Sequence, residues 1–272
     1  MMISYISSAG RRFDLTAGRF TKIKTANFHN WTYTADSTKL QYGEAIKQIK
    51  KAAVQYEVEV YVTGTKWERE AFTRSLHEAA SVDLFDQKTG VLVWGEWRLD
   101  CNIFSSSTYP HPDISGTTVN KLVFYAPRPF WYRLEEFHLV KDADPMVGGL
   151  DFPFDFPFDF TAGSWDVFEV VNHHYRESDF ILTVAGPAQS PRVTVNGHPY
   201  QVYADVPVGT VLTVDSRERT VMIGDVNHFA DRRKDYSLFQ PIPAGQLTIV
   251  KSGNFDATLA LKEERDEPTL WI

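Results

Sequence analysis

Residues 54–62, Val-Gln-Tyr-Glu-Val-Glu-Val-Tyr-Val, carry an apolar side chain at every second position, with Gln and Glu filling most of the gaps. Side chains alternate across a strand, so this pattern buries one face and wets the other. Shortly after it, Thr65-Lys66-Trp67-Glu68 fits a capping box, in which the Thr hydroxyl and the Glu carboxylate satisfy two backbone donors at a helix start. Trp67, Ala71, Leu76, Ala79 and Ala80, with Phe72 beside them, then form an apolar stripe that predicts one helix over about 65–80. A half-buried strand running directly into an amphipathic helix restricts the first half to a sheet packed on that helix.

The rest of the chain reads as strand. It holds 19 Phe, 12 Tyr and 7 Trp among 272 residues, with β-branched residues between them, which favours β structure. Runs at 90–99 and 118–125 complete the first half, separated by a Ser-, Pro- and Gly-rich stretch at 105–117 with the composition of a loop. Gly148-Gly149 leads into Asp-Phe-Pro-Phe repeats at 151–160, where proline disfavours a central strand or helix and leaves an extended connector. Phe152, Phe154, Phe156, Phe158 and Phe160 need cover from water, so the connector is expected to dock as a strip along a groove. Beyond it, short strands recur between turns, including an Asn196-Gly197 hairpin signal. The expected class is mainly β: a barrel-like domain with one packed helix over 1–145, a connector over 146–163, and an antiparallel sandwich of jelly-roll or galectin-like type over 164–272.

Chemistry has few carriers. The 28 Lys and Arg face 35 Asp and Glu, a net charge of −7, which opposes nucleic-acid binding; the clusters at 46–51 and 232–234 read as solvated strand edges or turns. A single cysteine, Cys101, lies in a strand-like run as a small buried hydrophobe. His173-His174 is the one adjacent histidine pair; strand neighbours point to opposite faces, so it is read as surface or loop rather than as a metal site. Phosphate loops, nucleophile elbows and zinc-protease helices are absent from the sequence. Asp151, Asp155 and Asp159 belong to the connector repeat, and Glu263-Glu264-Arg265-Asp266-Glu267 reads as a solvated mixed-charge end. No catalytic residue, cofactor or metal is therefore expected, and the chain is not expected to be an enzyme. The N-terminus lacks a secretory pattern and no segment reaches the roughly 20 apolar residues of a membrane helix. Sugar binding is the rival reading, yet Trp31, Trp67, Trp94, Trp97 and Trp131 all lie in the first half, where strand and helix patterns can bury them.

The order of features resembles the distal tail protein family of long-tailed phages. The segments that carry the resemblance are Thr63-Gly64-Thr65-Lys66-Trp67-Glu68-Arg69-Glu70, Phe130-Trp131, Pro157-Phe158-Asp159-Phe160, Pro191-Arg192-Val193-Thr194-Val195-Asn196-Gly197, the run at 209–221, Ser237-Leu238-Phe239-Gln240-Pro241-Ile242-Pro243-Ala244-Gly245, and the closing acidic residues up to Pro268. The resemblance implies a structural protein of the phage or prophage tail tip. It implies a homo-hexameric ring built by the N-terminal domains, with the sandwiches projecting outward. The implied partners are the major tail-tube protein, the tail-tip hub and the tape measure protein, with DNA passing through but not specifically bound. The implied location is the virion, after synthesis in the host cytoplasm; the runner-up is a carbohydrate-binding receptor module of the tail. Residues 21–34 read either as a hairpin-like arm that reaches a neighbouring subunit, with Phe28, Trp31 and Tyr33 as its contacts, or as an ordinary hairpin of the N-terminal barrel.

Overall fold

The computed structural model describes residues 2–16, 18, 21–140 and 165–268. They form two compact units, one of Met1–Arg133 with Glu264–Ile272 and one of Leu134–Glu263. The connector at 146–163, with its five candidate phenylalanines, lies outside the described residues.

The first unit contains β1 (Ile3–Ile6), β2 (Arg12–Asp14), β3 (Thr21–Ala26), β4 (Tyr33–Lys39), β5 (Glu44–Lys51), β6 (Val54–Thr63), α1 (Lys66–Phe85), β7 (Gly90–Trp94), β8 (Trp97–Pro110), β9 (Thr117–Ala126) and the start of β10 (Trp131–Leu139). Its main sheet runs β2-β1-β7-β8-β9-β6-β3, all antiparallel. The long β8 serves two partners: Trp97–Cys101 pair with β7, and Asn102–Pro110 pair with β9 across an irregularity between Ile103 and Ser105. Such a bulge bends a strand. The two halves of the sheet thereby face each other around one core, where the Tyr5 and Phe124 rings meet at 5.7 Å. Tyr56, Val58, Val60 and Val62 of β6 are all buried, as their alternation requires.

The capping box at Thr65 and Glu68 is formed, and α1 continues to Phe85 instead of ending near 80. Leu76, Ala79 and Ala80 are buried, but Trp67 is 76% exposed and outside the core stripe. Trp67 sits in the first turn, before the helix reaches the sheet's apolar face. Two further expectations change. The run at 90–99 is a hairpin, β7 and β8, with Gly95 at φ 62° in its turn. Residues 105–110 are strand rather than loop, because pairing with Val119–Val123 and their neighbours outweighs the weak strand preference of serine.

Asp83, which the helical stripe does not mark, is fully buried. It accepts hydrogen bonds from the Tyr5 hydroxyl at 2.6 Å, the Ser8 hydroxyl at 2.6 Å and the Ser8 N–H at 3.0 Å, tying α1 to the N-terminal strand. Burial and the neighbouring carboxylate push the Tyr5 phenol well above its ordinary value.

The second unit contains β11 (Trp165–Asn172), β12 (Asp179–Ala185), β13 (Ala188–Gln189), β14 (Arg192–Val195), β15 (His198–Gln201), β16 (Asp205–Val206), β17 (Val211–Asp215), β18 (Thr220–Ile223), β19 (Val226–Asn227), β20 (Gly245–Ser252) and most of β21 (Ala257–Arg265). One sheet runs β19-β18-β17-β12-β21 and the other β11-β20-β14-β15. Phe180, Leu182, Leu212, Val214, Leu259 and Leu261 of the first pack with Val193, Val195, Leu247 and Ile249 of the second in one buried cluster, the interior of an antiparallel sandwich. The Asn196-Gly197 hairpin forms, with φ 47° and 82° at its two turn residues. Both values suit the mirror-image turn that matches strand twist.

Replacing Asp83 with Ala strands the Tyr5 hydroxyl and the Ser8 donors, and is expected to cost about 2–4 kcal/mol. Tyr5→Phe leaves Asp83 held by Ser8 and should lose less. Urea unfolding of the two variants beside the parent protein measures both values.

Candidate assembly surface

Between β3 and β6, which pair with each other, the chain leaves the main sheet to form a separate two-stranded ribbon, β4 and β5. The hairpin arm is thus 33–51 and not 21–34: β3 pairs with β6, and it does not turn back onto 31–34. The candidate contacts divide accordingly. Phe28 is only 1% exposed and packs against the rings of Tyr56, Trp94 and Trp131 at 5.4–5.7 Å, so it anchors the core. Trp31 and Tyr33 are 50% and 40% exposed and touch edge to face at 5.7 Å.

Nearly every residue of the ribbon is exposed, including Ile46 and Ile49. Simple alternation would send these two isoleucines to opposite faces. The register shifts between Asp36 and Ser37, however, so that Ser37 opposes Ile46 while Asp36 opposes Gln48, leaving Lys47 as the extra residue of a bulge. A bulge offsets the alternation by one. Ile46 and Ile49 therefore share a face with Tyr33, Ala35 and Ser37, and Thr34, Asp36, Gln48 and Lys50 take the other. Leu40 and Tyr42 stand out at the tip, where Gly43 adopts φ 85°. Lys51, Lys39 and Glu44 lie on that same face, and its two isoleucines are uncovered, 62% and 61% exposed.

Its base is held by the last described residues of the chain. Lys51, whose side chain is only 3% exposed, donates to Asp266 at 2.6 Å and sits 4.3 Å from the centre of the Phe130 ring. The Tyr33 hydroxyl donates to the same Asp266 oxygen at 2.7 Å. Arg128 meets Glu264 at 3.1 Å, and His29 lies 3.5 Å from Glu267. Glu263 and Glu264 are buried within β21. Residues 263–267 are thus not a solvated end. The acids at 264–267 meet Lys51, Arg128 and His29, partners that the folded N-terminal unit brings to them.

The remaining candidates fall elsewhere. Cys101 is buried, and burial pushes its thiol well above the ordinary value. His173 is exposed, whereas His174 is buried, its ring within 3.1 Å of the Arg176 carbonyl. Among the described residues no group of three His, Cys, Asp or Glu side chains is placed to hold a metal, and no helix is long and apolar enough to cross a membrane.

No family model matches the chain, and no curated protein matches its sequence. Solved structures do match, and they define a class: the fold is that of phage baseplate and hub proteins. A chain of the phage P2 baseplate in its activated conformation with Ca has a TM-score of 0.64 at 12% identity, covering 98% of this chain and 100% of its own; the same baseplate with Sr gives 0.63 at 12%, covering 98% and 99%. The particular fold is that of Dit: the SPP1 Dit protein, a paradigm of the hub adsorption apparatus in phages that infect Gram-positive bacteria, has a TM-score of 0.60 at 11% identity, covering 97% of this chain and 100% of its own.

Asp266→Ala leaves the buried Lys51 ammonium without its carboxylate and is expected to cost about 2–4 kcal/mol. Lys51→Met keeps the volume and removes the charge, leaving an Asp266 that is already 29% exposed, so it should cost under about 1.5 kcal/mol. Thermal or urea melts that rank the two variants the other way would contradict this reading of the ribbon's base.

Proposed function

We propose that this protein is a structural component of a phage tail tip, a homo-hexameric ring that joins the tail tube to the hub and leaves a passage for the tape measure protein and for DNA. It acts by assembly in the virion and not by catalysis. The observation that carries this reading is the exposed ribbon at 33–51, on a fold shared with the SPP1 Dit protein and the phage P2 baseplate. A two-stranded ribbon is marginally stable alone in water, and one that also exposes two isoleucines and a tyrosine on a single face gains stability by being covered. A second copy of the chain is the occupant that a closed ring supplies, since each subunit then presents the ribbon to its neighbour. Trp31 and Tyr33 belong to this interface; Phe28 supports it from within. The Phe residues of the connector at 151–160 are a second docking element of the same assembly.

Light scattering after size exclusion, run on the full chain over a wide concentration range, measures the state. A mass near six times the 31.1 kDa of one chain is expected, and Ile46→Asp with Ile49→Asp should reduce it to one. An assembly that survives both aspartates removes the ribbon from the interface, and a strict monomer at every concentration contradicts self-assembly of the isolated protein.

A further inference from the structure

The sandwich carries a basic pocket of about 590 Å³ that the assembly reading does not use. That volume lies in the range of small-molecule sites, roughly 300–1,000 Å³. Arg219, Arg232, Arg233 and Lys234 line it, with one carboxylate, Asp235, in a protein whose net charge is −7. The carboxylate is already committed: Arg233 grips it through two nitrogens at 2.8 and 2.7 Å, which holds the Asp235 carboxyl below its ordinary range. Arg219, Arg232 and Lys234 have no ion-pair partner among the described residues. Three unneutralised cations on one concave surface repel each other and attract an anion.

Three aromatic rings, with Ser237 and Leu238, form the rest of the wall. Phe229 and Phe239 stack at 5.9 Å with planes 15° apart. The Arg232 guanidinium lies 3.8 Å above the Phe229 ring while donating to the Phe229 carbonyl at 2.6 Å, which fixes its orientation. Tyr236 also lines the pocket; Arg233 lies 5.1 Å from its ring centre and the His198 ring meets it edge-on at 5.6 Å, and it is still 48% exposed. Arg219 adds an independent sign of constraint. It holds φ at 54°, in the left-handed region that a side chain with a Cβ rarely adopts, at the end of a turn closed by Asp215. Glycine would adopt that backbone without strain.

We propose that this pocket binds an anionic saccharide, a sugar bearing a phosphate or carboxylate, with Arg219, Arg232 and Lys234 on the anionic group and Tyr236 against the sugar ring. A neutral sugar would not need the cations, and a bare inorganic anion would not need the ring. A polynucleotide requires cations spaced along its backbone, whereas these converge on one pocket. The site goes beyond the structural role proposed above and stands without it, because every lining residue belongs to one sandwich.

Isothermal titration of the full chain with glucose 1-phosphate, glucuronate, glucose, inorganic phosphate and decathymidylate tests the proposal. One of the two anionic sugars should bind at least about tenfold more tightly than glucose or phosphate, the size expected of one charge-assisted hydrogen bond. Whether glucose 1-phosphate or glucuronate leads identifies the anionic group. Arg219→Gly, which relieves the backbone as it removes the cation, and Lys234→Gln should each weaken that ligand about tenfold with no fall in melting temperature. The proposal is overturned by no heat up to about 10 mM of either anionic sugar. Glucose or phosphate binding as tightly, decathymidylate binding more tightly, or both variants binding like the parent would equally overturn it.

Discussion

A lysine ammonium withdrawn from water needs a partner, and Lys51 finds its own 215 residues away in sequence, at Asp266. The pair fixes the base of a ribbon that is otherwise almost wholly exposed, and Tyr33 adds a hydrogen bond to the same carboxylate from the opposite strand. Residues 264–267 therefore complete the N-terminal unit by neutralising Lys51 and Arg128 and by placing Glu267 beside His29 at the point where the ribbon leaves the sheet. Breaking such a pair costs more than replacing it, because a buried charge without a counter-charge is worse than no charge. This asymmetry gives the arm a defined root.

The fold was largely legible where local pattern and tertiary packing agree. The alternation at 54–62, the capping box at Thr65 and Glu68, and the Asn196-Gly197 turn all produce the elements their chemistry predicts. Several of the failures concern residues whose partners are not their sequence neighbours. Serines 105–107 are strand because β9 lies beside them. Asp83 is buried because Tyr5 and Ser8 reach it. The acids at 264–267 look solvated until Lys51, Arg128 and His29 are folded around them.

The proposed assembly surface is hidden for a related reason. Ile46 and Ile49 sit three apart, which fits neither the period of a strand nor a face of a short ribbon. The bulge at Lys47 brings them together, and only the register of β4 against β5 reveals it. Composition could still have pointed to the region, since Trp31, Tyr33, Leu40, Tyr42, Ile46 and Ile49 are more large apolar side chains than a hairpin of this length buries within itself. In the sandwich, the Arg232-Arg233-Lys234 run reads as a solvated turn. The use proposed for it rests on Asp235 engaging one of the three cations and on Arg219 arriving out of a different turn.

Hydrogen–deuterium exchange on the full chain, compared between a concentrated sample and one diluted until light scattering gives a single subunit, reads the ribbon directly. If the ribbon is the covered surface, amides of 33–51 should exchange at least about tenfold more slowly in the concentrated sample, while those of the Leu76–Ala80 turn of α1 stay unchanged. Equal exchange of 33–51 in an assembled and a dispersed sample would contradict the account and move the subunit interface elsewhere.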